Sequence, residues 1–162
     1  MRAMRRTLLA LALALALASP FALAGCRAGP GEFPGDYENL RFVGTFTTSG
    51  TGKQSSQNDT NVKLTVADGE SGGDVVLKLT GDLACTVFGT RSGTTLALHS
   101  TTECSYTTVS KSDTFQIAVT SGDTTLDAGA LTVNLTGTFV HPVMKMPDEK
   151  GGFTGKVTAT KK

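Results

Sequence analysis

From Leu40 to the C-terminus, apolar residues recur at every second position, in short runs that turn-forming residues separate. A period of two places successive side chains on opposite faces of a strand, so each run has one apolar and one polar face. No stretch after Cys26 repeats apolar residues at helical spacing. The pattern therefore predicts an all-β domain over residues 40–162, with strands at Phe42–Phe46, Val62–Val66, Val75–Leu79, Leu83–Val87, Leu96–Leu98, Phe115–Val119, Leu131–Phe139 and Phe153–Ala159.

The connections between these runs predict how the strands are arranged. They are short and polar, so they cannot carry the crossover helices that parallel strands need. Runs that follow one another at about 8–12 residues are typical of an up-and-down barrel or a β-sandwich. We expect an antiparallel up-and-down barrel of about eight to ten strands, with a β-sandwich as the alternative. Ten strands are expected if Thr124 to Asp127 forms its own strand, and the last strand would then pair antiparallel with the first.

Glycines inside three of the runs favour the barrel over the sandwich. Gly44, Gly137 and Gly155 each occupy an apolar position within a predicted strand. Glycine in a strand often marks a bulge or a sharp bend, which a small sheet needs in order to close. With its glycine at Val43 to Phe46, the domain is similar in general pattern to small lipoprotein β-barrels such as lipocalin-like carriers, although the chain contains no tryptophan.

The beginning of the chain has the parts of a bacterial export signal in their usual order. Arg2, Arg5 and Arg6 precede the apolar run Thr7–Ala18, which Pro20 follows. As a helix, this run would span about 18 Å, which is too short for a hydrocarbon core of about 30 Å. The sequence therefore predicts a signal peptide over residues 1–25 rather than a permanent transmembrane helix.

The next four residues resemble a known processing motif. Leu23, Ala24, Gly25 and Cys26 resemble the lipobox of bacterial lipoproteins. The resemblance implies cleavage by signal peptidase II before Cys26, whose sulfur carries a diacyl group. Ordinary secretory cleavage is the alternative, because Ala22 to Ala24 also fits an A-x-A site. That cleavage would release a chain that begins at Gly25.

The three cysteines favour lipidation. Cys85 and Cys104 can pair with each other in an oxidising compartment, and Cys26 then needs a use of its own. A hairpin turn near residues 91–93 would bring Cys85 and Cys104 to the same end of the sheet. The sequence therefore predicts a lipid on Cys26 and a disulfide between the other two cysteines.

The segment after Cys26 predicts a tether and a destination. Arg27 to Asn39 alternates proline and glycine with charged residues and has no strand or helix period, so residues 26–39 are expected to form a flexible tether. In the lipoproteins that the motif resembles, aspartate directly after the cysteine favours retention in the inner membrane. This chain has Arg27 there. We therefore expect a lipid-anchored protein of the cell envelope, at the outer membrane.

Charge and motifs argue against several classes of function. Twelve basic and fourteen acidic residues follow Cys26 and are scattered, which gives no basic patch for nucleic acid. His99 and His141 do not stand in a metal-binding spacing, and no nucleophile motif or phosphate loop is present. Asp68 to Asp74 reads as a polar hairpin turn rather than a calcium loop. The sequence predicts no enzyme activity, no metal and no cofactor.

The longest connections, Ser49 to Asp59 and His141 to Gly152, predict a binding rim. Counting strands from the tether places both at the end of the barrel far from the membrane. Long loops on a rigid scaffold commonly carry binding residues, and methionine adapts well at binding surfaces. The candidate rim is Lys53, Gln57, His141, Met144, Lys145 and Met146. One alternative is that the methionines fold over the barrel end and close it. The other is that both loops are long but have no function.

These observations predict a membrane-anchored, non-catalytic binding or interaction module. Its ligand would be an envelope protein, a glycan or a small apolar molecule. A structural lipoprotein that supports an envelope complex is one alternative, and a lipocalin-like carrier is another. Large inward residues predict a filled interior, which leaves the rim or the outer wall for binding. These residues are Phe42, Phe46, Phe115, Phe139 and Phe153.

Overall fold

The structure is a computed structural model that describes residues 32–70, 74–110, 112–143 and 146–162; the side chains of residues 102 and 103 are not described. The predicted signal peptide, the lipobox and Cys26 lie outside these ranges. The described residues form ten β-strands and no helix. The strands are β1 (Gly35–Thr48), β2 (Gln54–Asp59), β3 (Val62–Asp68), β4 (Asp74–Gly81), β5 (Leu83–Ser92), β6 (Thr95–Leu98), β7 (Thr101–Thr107), β8 (Thr114–Asp127), β9 (Ala130–His141) and β10 (Glu149–Lys161).

The ten strands fill eight positions around a closed antiparallel barrel, because two positions are each shared by two strands. β2 and β3 both pair with β1 in one continuous register, since Phe42 faces Asp59 and Gly35 faces Val66. β6 and β7 both lie between β5 and β8. Within this second shared position, residues 99–103 bulge, and the register against β8 shifts between Thr101 and Cys104.

Pairing between the first and last strands closes the barrel. β10 pairs antiparallel with β1, and Phe46 lies opposite Phe153. When β2 with β3 and β6 with β7 are each counted as one position, every other pair of neighbouring positions is also consecutive in the chain, which is the up-and-down order. The structure thus confirms the predicted antiparallel barrel over the β-sandwich. The count of ten has a different origin from the one expected, because Thr124 to Asp127 continues β8 and is not a separate strand.

The interior of the barrel is packed with the residues that the alternation places inward. Phe42, Phe46, Phe115, Phe139 and Phe153 are all buried, as predicted. The Phe46 ring contacts four other aromatic rings, with a centroid distance of 4.4 Å to the Phe115 ring. Gly44 and Gly155 leave room for these rings, because a Cβ atom at Gly44 would lie 2.5 Å from the Phe42 ring and one at Gly155 would lie 2.6 Å from the Phe153 ring.

The third strand glycine marks a bulge. Gly137 lies opposite Val119, where the register between β8 and β9 shifts by one residue. A Cβ atom at Gly137 would lie 2.0 Å from the carbonyl oxygen of Ala118. The bulge therefore needs glycine on the facing strand, as a strand glycine often indicates.

The predicted disulfide is confirmed. Cys85 on β5 lies directly opposite Cys104 on β7, and the two sulfur atoms are bonded. Both cysteines are buried inside the barrel. The bond covalently joins two neighbouring strands close to the turn between β4 and β5.

Two predicted boundaries are wrong. The tether was expected to reach Asn39, but β1 begins at Gly35 and the Phe33 and Tyr37 side chains are buried. These aromatic residues lack strand alternation with their neighbours, so the pattern did not identify them as core. Ser49 to Asp59 was expected to be a loop, but Gln54–Asp59 forms β2. Because the residues of this strand are polar, a search for apolar alternation does not detect it.

The two ends of the barrel differ in how they are closed. We call the proximal end the one at which β1 begins, and the distal end the opposite one. At the proximal end, the Tyr37 hydroxyl donates a hydrogen bond of 2.6 Å to the Phe33 carbonyl oxygen. The Arg91 guanidinium lies 5.7 Å from the centre of the Phe33 ring. The N-terminal segment thus plugs the end at which the predicted tether enters.

Candidate functional site

The distal end carries a cup of about 330 Å³, which we call the distal cup. Its wall is largely polar and comes from the β1–β2 hairpin, the β7–β8 turn and the facing ends of β9 and β10. Its base is formed by phenylalanines that belong to the packed interior. The lining residues are Phe46, Thr48, Lys53, Gln54, Ser55, Gln57, Thr108, Asp113, Phe115, Phe139, His141 and Glu149.

The cup exists because the strands of the barrel do not all extend equally far in the distal direction. β4 ends at Gly81, which lies opposite Val62, whereas β2 continues in the distal direction beside β1. The turn at Asp82 bounds the gap between β2 and β4 on its proximal side. Its amide donates to the Asn61 carbonyl oxygen, and its carbonyl oxygen accepts from the Thr107 amide. Within the described part of the chain, β2 pairs with β1 alone, so its other edge faces the gap.

His141 joins the three elements on the far side of the cup. Its Nε2 lies 3.2 Å from Asp113 Oδ1 on the β7–β8 turn, and its Nδ1 lies 3.5 Å from Glu149 Oε2 on β10. The ring stacks on Phe115 at a centroid distance of 4.6 Å. We call these three polar residues the His141 clasp. Because both ring nitrogens contact carboxylates, the clasp links the β7–β8 turn, the end of β9 and the start of β10.

Buried polar groups lie beneath the cup. Asp59 Oδ2 and the Tyr106 hydroxyl are buried and lie near each other, without a well-formed hydrogen bond to any described residue. Burial, the negative charges of Asp59 and Asp82 and the contact with the Asp59 side chain together raise the pKa of Tyr106 to about 12. A buried polar group without a partner is costly, and the Thr124 hydroxyl, near the proximal end of β8, is another such group in the described part of the chain.

The structure brings together three of the six predicted rim residues. Lys53, Gln57 and His141 line the same cup at the distal end, where the strand count placed them. Met144 and Lys145 lie outside the described residues. Met146 is 67% exposed and does not line the cup.

The sequence interpretation missed the partners of His141 and much of the wall. Asp113 and Glu149 were not singled out; Asp113 directly precedes β8, and Glu149 is the first residue of β10 but lies within the loop predicted for His141 to Gly152. A search for polar residues that flank distal turns would have found both. Gln54, Ser55 and Thr108 carry no such signal, because serine, threonine and glutamine are common throughout this chain.

The polar side chains of the cup surround a confined volume from several sides. Among the described residues, no group of three His, Cys, Asp or Glu side chains is placed to hold a metal ion. Asp113 and Glu149 approach opposite nitrogens of the same ring and so do not converge on one point. Hydroxyl, amide and carboxylate groups around a confined volume can form hydrogen bonds with a polar group of a ligand.

None of the described residues belongs to a helix that could cross a membrane. The outer wall is rich in threonine and the inner wall in aliphatic and aromatic residues, as the alternation requires.

No protein-family model matches the chain, and neither the curated proteins nor the solved structures include one with significant similarity to it.

Proposed function

We propose that this protein is a lipid-anchored envelope protein that binds its partner non-catalytically through the distal cup. The lipobox at Leu23 to Cys26 supports the anchor. The observation that carries the binding role is the convergence of Lys53, Gln57 and His141 on one cup at the end opposite to the entry of the chain. A tether at the proximal end directs the cup away from the membrane.

The packed interior favours the cup over a carrier function. A lipocalin-like carrier needs an internal cavity for its apolar ligand. Here five phenylalanines and the inward aliphatic residues fill that volume. A ligand would therefore contact the polar wall and the free edge of β2, where hydrogen bonds can recognise an envelope protein or a glycan.

Cys26→Ser tests the anchor. Two or three acyl chains hold a protein stably on a membrane, whereas one chain gives only marginal binding. We expect the wild-type protein to partition into detergent and the variant to appear in the aqueous phase. Processing that is insensitive to globomycin, together with an unmodified N-terminus at Gly25 in mass spectra, would contradict the anchor.

Two loop replacements test the cup. Ser49 to Gly52 and Pro142 to Asp148 are each replaced by Asn-Gly, and the partner retained from native membranes is quantified by mass spectrometry. We expect both replacements to abolish capture of that partner.

A second pair of variants separates the cup from the rest of the surface. Lys53→Ala with Gln57→Ala should weaken capture, whereas the control Lys63→Ala with Lys156→Ala changes exposed outer-wall residues and should not. Full capture by the Lys53→Ala with Gln57→Ala variant would refute the cup as the binding site, because these residues line it and the replaced loops do not.

A further inference from the structure

A second surface feature lies on the outer wall, away from the distal cup. Ala67 on β3 lies opposite Val76 on β4, which in turn lies opposite Phe88 on β5. These outward side chains form an apolar row across three neighbouring strands. Phe88 is 53% exposed, which makes it one of the few large apolar side chains that face solvent in the described part of the chain.

The apolar row lies in a groove with polar walls, which we call the outer groove. The groove has a volume of about 500 Å³ and is lined by Asp68, Gly69, Glu70, Asp74, Val76, Phe88 and His99. Asp68, Gly69, Glu70 and Asp74, at the facing ends of β3 and β4, form one wall. The residues at the start of the bulge between β6 and β7 form the other, where the His99 amide donates to the Phe88 carbonyl oxygen.

Hydrogen bonds position the polar side chains beside the row. The Thr90 hydroxyl lies 3.4 Å from Asp74 Oδ1 and 3.0 Å from His99 Nε2. These two hydrogen bonds connect β4, β5 and the residue after β6 on the same outer surface. The groove is therefore preorganised by the sheet, which lowers the entropy lost when a ligand binds.

The charge of the groove selects its occupant. Asp68, Glu70 and Asp74 are acidic, and no lysine or arginine is among the lining residues. Lys78, the next outward residue of β4, marks its distal limit. A cationic side chain is attracted to the face of an exposed aromatic ring and to nearby carboxylates, and electrostatic complementarity of this kind gives specificity.

We propose that the outer groove docks a basic segment of a partner protein, in which an arginine or lysine alternates with an apolar residue. The cation lies over Phe88 and against the carboxylates of Asp68 and Glu70. The apolar residue packs on Val76 and Ala67. This surface is separate from the distal cup and does not depend on the function proposed for it.

The probe is a defined peptide, acetyl-Thr-Arg-Val-Arg-Val-Thr-amide. It is titrated into the ¹⁵N-labelled full-length chain carrying Cys26→Ser, and binding is followed by chemical-shift changes. We expect saturable shifts at Val76, Phe88 and His99, with a dissociation constant below about 1 mM. Because the interaction is partly ionic, affinity should fall as salt shortens the screening length from about 10 Å toward 3 Å.

Two substitutions identify the groups responsible. Phe88→Ser should weaken binding about tenfold, because it removes the aromatic face for the cation and most of the apolar row. Val43→Ser is the matched control, since Val43 is an exposed apolar residue on another strand, at 40% exposure. It should leave the affinity unchanged. Asp68→Asn with Glu70→Gln should weaken binding and reduce its dependence on salt.

Five results would overturn the proposal, four of them obtained with peptide. These four are the absence of saturable shifts below about 1 mM, equal affinity for a peptide with glutamate in place of arginine, equal affinity of the Phe88→Ser variant, and shifts that map to the distal cup. Shifts that depend on protein concentration without peptide would instead assign the apolar row to self-association and would also refute it. Gln57→Ala separates the two surfaces, because it changes the cup and should leave peptide binding intact.

Discussion

The two ends of this barrel solve the same packing problem in different ways. At the proximal end, Phe33 and Tyr37 fold into the opening, and the only polar atom that Tyr37 buries there is bonded to the Phe33 carbonyl oxygen. At the distal end, the wall is incomplete above the Asp82 turn, and the buried hydroxyl of Tyr106 lies near Asp59 without a well-formed hydrogen bond. The proximal end is closed by two aromatic side chains, although the buried Thr124 hydroxyl near it also lacks a partner among the described residues, whereas the distal end is an open cup.

The difference teaches where binding can be placed on a filled barrel. The aromatic interior ends just beneath the cup, so the layer below contributes stability and the polar layer above is where we propose that recognition takes place. Substitutions in the lower layer should change stability, and substitutions in the upper layer should change binding alone. The following predictions test that separation.

Phe46→Ala should have the largest effect on stability. Removing a large buried aromatic residue typically costs about 3–5 kcal/mol, because it loses apolar burial and leaves a cavity. Phe33→Ala should cost less, since a terminal segment can detach without unfolding the barrel. Urea unfolding of both variants, with Val43→Ala as the exposed control, measures the difference. A larger loss from Phe33→Ala would make the proximal plug the main stabilising element.

Loss of the disulfide should have the next largest effect. The bond closes a chain segment of 19 residues between Cys85 and Cys104, and closing a loop of this size contributes about 3 kcal/mol. It joins β5 to β7 beside the gap in the distal wall, whereas β5 and β6 meet through a tight turn at the proximal end. Thermal unfolding of Cys85→Ala with Cys104→Ala tests this value. An unchanged Tm would show that the distal wall holds without its covalent link.

The two tyrosines should separate the ends in alkaline solution. Burial raises the pKa of Tyr37 and of Tyr106 from 10 to about 12. Because the folded pKa lies above the unfolded value, their contribution is complete below pH 10 and is lost as the pH rises from 10 to about 12. The maximum loss is on the order of 3 kcal/mol for each tyrosine.

Tyrosine-to-phenylalanine variants assign this loss. At pH 7, Tyr37→Phe should cost about 1 kcal/mol, because the Phe33 carbonyl oxygen loses its donor. Tyr106→Phe should cost less, because its hydroxyl makes only a poorly formed contact with Asp59. Each variant should remove its own share of the decline above pH 10, measured by urea unfolding at several pH values. A strong loss from Tyr106→Phe at pH 7 would reveal a bound partner for that hydroxyl.

The His141 clasp should have the smallest effect on stability. Asp113 and Glu149 have side chains 45% and 46% exposed, and ion pairs at such positions contribute about 0.2–1 kcal/mol. Asp113→Asn and Glu149→Gln should therefore change the free energy of unfolding little while weakening partner capture. Asp123→Asn, which alters an exposed carboxylate on the outer wall, is the control. A loss above about 1.5 kcal/mol would place the clasp in the stabilising layer instead.

The prediction of the fold from sequence succeeded where the signal was local and failed where it was not. Alternation in Phe115 to Val119 and in Leu131 to Phe139 identified strands and their inward faces, because each side chain needs only its own strand to set its direction. The polar strand β2 has no such signal, and it forms because β1 continues beside it. Phe33 and Tyr37 were assigned to a tether because their burial depends on distant strands that form the opening they fill.

The candidate site shows the same division. Strand parity placed Lys53, Gln57 and His141 at one end, since an up-and-down order carries direction along the chain. Parity could not join Asp113 and Glu149 to His141, because that contact depends on the stagger of three elements around a closed barrel. The outer groove likewise needed the register that aligns Ala67, Val76 and Phe88.

The sequence by itself determined the all-β class, the inward face of most strands and the cysteine pair, and it predicts the export signal and lipidation motif. All of these follow from short-range spacing and residue chemistry. Only the tertiary structure decided that β1 and β10 close the sheet, that ten strands fill eight positions and that the wall stops short above Asp82. Closure, register and wall height depend on pairings between residues far apart in the chain, which no local period encodes.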